Sequence, residues 1–175
     1  MNKSGIYLHI PFCKTKCIYC DFYSVTKRDD SIEKFVHCLI KEIKLNKKIL
    51  QNSKFDTIFF GGGTPSVLTE KQVEKILSAI NKYYNLDENI EITIECNPGE
   101  INYEKLKNFR QIGVNRLSIG FQSFNEKTLK FLGRLHSSDQ SISTFNNQEI
   151  VDDPKIDAEL SVVEEQTQLK YNIGI

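Results

Sequence analysis

Short apolar runs rich in β-branched and aromatic residues alternate along this chain with longer stretches in which apolar positions recur every three or four residues. The runs IYLHI (6–10), DTIFF (56–60), IEITIEC (90–96) and NRLSIGF (115–121) predict strands. Between them the period lengthens to that of a helix. Ile32, Val36, Leu39, Ile43 and Leu50 form the first apolar stripe, with Asp30 expected as helix cap and Glu33 at the third position. Lys41, Lys44, Lys47 and Lys48 fall on the solvated face of the same helix. A second helix is expected to open at Thr69, with Gln72 at capping-box spacing, and to bury Val73, Ile76, Leu77 and Ile80. A third runs from about Asn102 to Gln111 and stops at Gly113, where a left-handed residue meets least resistance; a fourth begins near Asn125.

Strands separated by helices must pair in parallel through right-handed crossovers. The predicted fold class is therefore α/β, with about four parallel βα units belonging to an open doubly wound sheet or to part of a barrel. Both architectures bind ligands at the carboxyl ends of their strands. Each unusual loop lands there: CKTKCIYC after the first strand, GGGTP after the second, CNPGE after the third and FQSF after the fourth. Residues 149–175 change character, with seven acidic residues against two lysines. They read as an acidic tail, helical or disordered, to a 1–148 core. Asp153-Pro154 has the form of a helix cap and first turn, and Ile156, Leu160, Val163 and Tyr171 share one helical face.

The 175 residues suffice for one domain with a hydrophobic core. Lysine plus arginine balances aspartate plus glutamate at 23 each, so no overall field draws the chain to nucleic acid or an anionic membrane. No apolar run has the length of a membrane span or secretory signal, and a cytoplasmic protein is expected. Five cysteines, three of them crowded into residues 13–20, suit a metal site in a reducing compartment better than a disulfide framework.

Cys13, Cys17 and Cys20 are the candidate metal ligands. Thiolates favour zinc, copper(I) or iron–sulfur iron. A structural zinc module would need a distant fourth ligand such as His9, His37 or Cys96. A four-iron cubane suits three thiolates on one loop better, because three irons take one protein ligand each and the fourth keeps an open position. Three unligated buried thiols beside lysines and a proline would pack poorly. Cys38, in a helix, and Cys96, at a strand end, read as small core residues.

The C-x3-C-x2-C spacing, with an aromatic before the last cysteine, resembles the radical S-adenosylmethionine (SAM) superfamily. IYLHIPFCKTKCIYCDF, FFGGGTPS, IECNPGE and GVNRLSIGFQSFNEKTLKFLGRLHS follow in that order over about residues 4–148. Together they are similar to the HemW-type heme chaperones and the related oxygen-independent coproporphyrinogen III oxidases. The resemblance implies a partial (β/α) barrel and a [4Fe-4S] cluster on the three cysteines. It implies that the open iron is chelated by SAM, whose sulfonium takes an electron from the reduced cluster to release a 5'-deoxyadenosyl radical. It further implies SAM contacts from Tyr7, Tyr19, Gly62, Gly63, Thr64, Glu95, Gln122 and Arg134.

In that scheme the successive glycines leave bare amides for the amino-acid end of SAM, and Tyr19 packs beside its adenine. Glu95, in an apolar and β-branched run, is expected to be buried and to need a cation. Gln122 joins Glu95 on the ribose hydroxyls or amino group, and Arg134 pairs with a carboxylate. Heme or porphyrin and a heme-acceptor protein are the implied partners, and no catalytic residue is assigned. An enzyme of this kind would be a coproporphyrinogen III dehydrogenase-like oxidoreductase. His9 and His136 read as hydrogen-bonded structural residues rather than heme ligands.

Two departures favour the chaperone branch. The oxidases carry a further cysteine just past the third, where Asp21-Phe22 stand here, and an N-terminal arm, whereas only six residues precede Tyr7. After about Gln148 the chain does not match the family's continuation, which implies a truncated or internally deleted member. An open, sticky edge on the fourth predicted strand is the expected consequence.

Overall fold

The computed structural model describes residues 4–149, with side chains to residue 146, and the backbone of residues 157–162. β1 (Ser4–Ile10) is followed by a two-residue ladder, β2 (Phe12–Cys13) with β3 (Val25–Thr26), which closes the cysteine loop at its base. Then come α1 (Ile32–Asn46), β4 (Lys54–Gly62), α2 (Glu70–Tyr83), β5 (Asn85–Cys96), α3 (Tyr103–Gln111) and β6 (Arg116–Gln122). α4 (Glu126–Phe131), α5 (Ser138–Glu149) and β7 (Asp157–Val162) complete the described chain. The five longer strands form one sheet in the order β1-β4-β5-β6-β7, parallel throughout. The strand order follows the chain without reversal, as in the partial (β/α) barrel that the resemblance implies and unlike an open doubly wound sheet.

Strand alternation sorts the sheet into two unlike faces. Leu8, Ile10, Ile58, Phe60, Ile94, Leu117 and Ile119 point toward the helices and are each 4% exposed or less. Val36 of α1, Val73, Ile76 and Ile80 of α2, and Leu106 and Phe109 of α3 meet them in one continuous core. Each such side chain contributes roughly 1.5–3 kcal/mol on leaving water. The opposite, inner face is largely polar: Tyr7 lies beside Phe59, Phe59 beside Thr93, Thr93 beside Arg116, and Glu95 beside Ser118. Deeper on that face Glu91 accepts from the Thr93 hydroxyl at 3.2 Å and pairs with Arg116 at 3.6 Å.

The expected caps of α2, α3 and α4 are present. Thr69 accepts from the Gln72 amide at 3.3 Å while the Gln72 side chain accepts from the Thr69 amide at 2.9 Å. Asn102 accepts from the Lys105 amide and Asn125 from the Lys127 and Thr128 amides. Gly113, at φ +104°, ends α3 in the left-handed region that glycine enters most readily.

Several expectations need correction. α1 starts at Ile32 after a 3-10 turn over Asp29–Ser31, and Asp30 accepts from the Ser31 hydroxyl at 3.3 Å instead of capping the helix. The helix ends at Asn46, so Leu50 lies beyond its stripe. Cys38 is exposed rather than a core residue, because it lies outside the Val36–Ile43 stripe; Cys96 is buried as expected. Residues 157–162 form a strand, not a helix, registered from Arg116 opposite Asp157 to Gln122 opposite Val162. Their backbone groups satisfy the edge of β6, so that edge is not bare. Asp153, Pro154, Ile156, Val163 and Tyr171 lie outside the described residues.

Candidate cluster and cofactor site

The loop between β2 and β3 is braced before any ligand enters. His9 Nε2 donates to the Tyr23 carbonyl at 2.9 Å, Lys16 Nζ donates to the Phe22 carbonyl at 3.0 Å, and the Cys20 amide donates to the Cys17 carbonyl at 3.2 Å. The Val25 amide closes back on the Pro11 carbonyl at 2.7 Å. Cys13, Cys17 and Cys20 emerge half-buried and free of disulfides.

The strand ends bring most of the expected residues to one place. Cys13, Cys17, Cys20 and Tyr19 from the loop, Gly62, Gly63 and Thr64 after β4, Glu95 of β5, Gln122 of β6 and Arg134 all line a cavity of about 210 Å³. Tyr7 does not line it: its ring stacks on Phe59 at 6.0 Å and its hydroxyl lies 3.4 Å from His9 Nδ1. Ser118 and Gly120 also line the cavity and were missed from sequence. They lie four and two residues before Gln122, a signal that could have found them, since alternate positions on a strand share a face.

The glycine run works differently from expectation. Its amides are not bare: Gly62 N–H donates to Glu95 Oε2 at 3.0 Å, Gly63 N–H to the Ile10 carbonyl at 2.8 Å, and Thr64 N–H to the Phe12 carbonyl at 2.8 Å. Small size is what the position demands. A Cβ on Gly63 would sit 2.7 Å from the Phe12 carbonyl oxygen and one on Gly62 would sit 2.6 Å from the His9 ring. Glu95 is half-buried rather than buried, because it occupies the inner face while Ile94 and Cys96 take the core positions. Gln122 adopts φ +58°, a left-handed backbone unusual for a residue with a Cβ, at the point where β6 turns into the site.

Arg134 reaches into this wall from the segment after α4. Its Nη2 donates to Asn97 Oδ1 at 2.6 Å and to the Gly120 carbonyl at 2.8 Å. Its Nη1 lies 3.4 Å from Cys17 Sγ and 3.3 Å from the Tyr19 hydroxyl, while Nε is buried with no partner among the described residues. Asn97, also missed, donates through Nδ2 to Thr64 Oγ1 at 3.1 Å, and Thr64 Oγ1 donates to Cys13 Sγ at 3.5 Å. Its only sequence signal was membership of the CNPGE loop, which reads first as an Asn-Pro turn.

Burial raises the Tyr19 phenol above its ordinary value against the opposing pull of Arg134. Beyond Arg134 lies a second cavity of about 100 Å³ lined by Lys14, Glu100 and His136 among others. Burial lifts the Glu100 carboxyl, with Lys14 opposing, and depresses His136 to about 4, with Arg134 adding to the effect. His136 Nε2 donates to the Phe121 carbonyl at 3.2 Å, as His9 does to Tyr23, so both behave as structural histidines.

Among the described residues no three His, Cys, Asp or Glu side chains converge tightly enough to hold one metal ion. A closed zinc site needs such convergence. Cys96 is a poor fourth ligand, since burial pushes its thiol up to about 12 and it donates to the Ile94 carbonyl. Three sulfurs spread around one cavity suit a cubane, in which each binds a different iron. Arg134 and Glu95 on the same wall suit a ligand bearing both a carboxylate and an ammonium. The residues present therefore fit a [4Fe-4S] cluster with SAM.

The radical SAM superfamily profile matches residues 7–147, and the chain belongs to that superfamily. Membership carries a [4Fe-4S] cluster and SAM as the expected cofactors. The chain is 38% identical over 147 residues to the heme chaperone HemW of Haemophilus influenzae, which covers 81% of this chain and 38% of the relative. It is 36% identical over 150 residues to the heme chaperone HemW of Buchnera aphidicola, covering 85% of this chain and 40% of the relative. Among solved structures it is similar to coproporphyrinogen III oxidase HemN of Escherichia coli, a radical SAM enzyme. That match has a TM-score of 0.80 at 26% identity over 90% of this chain and 36% of the other. The chain thus spans about two fifths of the length of the curated relatives it matches. No helix among the described residues is long and apolar enough to cross a membrane.

Proposed function

We propose that this chain is the cluster- and SAM-binding part of a cytoplasmic HemW-like heme chaperone, which takes up heme and passes it to an acceptor protein. The carrying observation is the gathering of three free cysteines with Glu95, Gln122 and Arg134 around one cavity at the carboxyl ends of the strands. Cys13, Cys17 and Cys20 ligate the cluster. When bound, the cluster supplies one-electron reduction of the SAM sulfonium. Glu95 and Gln122 hold the polar groups of SAM, Arg134 offers its buried Nε to a carboxylate, and Tyr19 shields the cavity from water. Gly62, Gly63 and Thr64 present a close-approach wall. Tyr7 acts beside the cavity, where its phenol is raised first by burial and then by the Glu95 charge.

The HemN likeness supports a second reading, radical decarboxylation of a porphyrinogen. Asp21 and Phe22, in place of a further cysteine, favour the chaperone. Anaerobic reconstitution tests the shared part: about four irons and four sulfides per chain, and a resonance signal that changes when SAM is added. An unchanged signal refutes SAM at the open iron. Heme titration and a search for decarboxylated product then separate the readings; binding without product supports the chaperone, and product with turnover overturns it.

A further inference from the structure

Asn97 lies between Arg134, Thr64 and the Glu100 carboxyl, and the first two contacts fix the orientation of its amide. A guanidinium can only donate, so the 2.6 Å contact from Arg134 Nη2 requires the Asn97 oxygen on that side. The amide nitrogen then faces Thr64, and its 3.1 Å bond occupies a lone pair of Thr64 Oγ1. That leaves the Thr64 hydroxyl proton directed at Cys13 Sγ, 3.5 Å away. Arg134 meanwhile reaches Cys17 directly at 3.4 Å through its other terminal nitrogen. One cation thus addresses two of the three sulfurs, one directly and one through a two-residue relay.

We propose that Asn97 is a positioning residue that polarises the Arg134–Asn97–Thr64 relay toward Cys13 and thereby raises the reduction potential of the cluster. The assignment rests on the cluster reading above. Hydrogen bonds donated to a cluster's sulfurs favour the reduced state, whose extra negative charge they stabilise. Asn97 also stands in the wall shared by the two cavities. Aspartate in its place would accept from both neighbours and draw the Thr64 proton away from Cys13. Valine at position 64 would remove the proton altogether, whereas serine would keep it.

The experiment is a reductive titration of the reconstituted full chain without SAM, followed by electron paramagnetic resonance. Asn97→Asp and Thr64→Val are each expected to weaken reduction roughly tenfold, ~59 mV for a one-electron couple. Thr64→Ser should titrate like the parent, and Asn97→Ala should shift the potential less in a Thr64→Val background than alone. Thermal unfolding of each variant separates lost fold from lost tuning. Unchanged potentials in variants that take up four irons and remain folded overturn the relay while leaving the cluster reading intact. Failure of the parent chain to take up iron overturns both.

Discussion

Replacing His136 by glutamine should remove much of this protein's sensitivity to mild acid. The imidazole is 5% exposed, donates to the Phe121 carbonyl, and is held to a pKa of about 4 against an ordinary 6.5, by burial first and Arg134 second. The folded state therefore keeps it neutral where the unfolded chain takes up a proton. Its contribution to stability is fully present above 6.5 and is lost as pH falls toward 4. Between about pH 7.5 and about pH 5 the linkage relation gives a loss of about 2 kcal/mol, which residual solvent access reduces toward ~1 kcal/mol. Glu100 works the other way, since a raised carboxyl pKa favours the folded state as pH falls, so only the difference between variant and parent isolates the histidine. Glutamine can keep an N–H for the Phe121 carbonyl. Urea unfolding followed by circular dichroism at both pH values should show the parent losing about 1–2 kcal/mol more than the variant. Equal losses in the two proteins would refute the neutral, buried histidine.

Other outcomes follow from single contacts. Thr69→Ala removes one half of the α2 capping box and should lower stability by about 1 kcal/mol in urea unfolding. Gly63→Ala places a methyl 2.7 Å from the Phe12 carbonyl oxygen, so iron uptake should collapse as the cysteine loop is pushed from its seat; normal uptake would contradict that geometry. Cys13→Ser, Cys17→Ser and Cys20→Ser should each sharply reduce iron after anaerobic reconstitution, while Cys38→Ser, at an exposed helix position, should leave the iron content unchanged.

Much of this architecture can be read from the sequence, for identifiable reasons. IYLHI, DTIFF, IEITIEC and NRLSIGF lie wholly or almost wholly inside β1, β4, β5 and β6, because buried parallel strands concentrate β-branched and aromatic residues. The capping box of α2 is readable because both partners are local. The same logic applies to Ser137, just ahead of α5, and Gln140 in its first turn, which exchange bonds of 3.2 and 2.9 Å, yet that helix escaped because SDQSISTFNNQE carries few apolar positions to mark its period. β7 escaped for a different reason: its partner is the edge of β6, and pairing across the sheet overrides a local pattern that also suits a helix. At the site, cysteine spacing exposed the candidate ligands, but Asn97 owes its place to Arg134 and Thr64, each more than thirty residues away in the chain. The glycine run was visible, whereas the engagement of its amides depends on Ile10, Phe12 and Glu95 arriving from other strands.

The two unlike faces of the sheet bear on how these βα units endure as a gutter rather than a tube. Helices thatch the greasy side, and the other side carries a strip in which Glu91, Glu95, Arg116 and Ser118 stay half-open to water while Thr93 is covered. Curling such a sheet further would shape a hollow rather than hide oil, and the strand-end rim can stand ready without it.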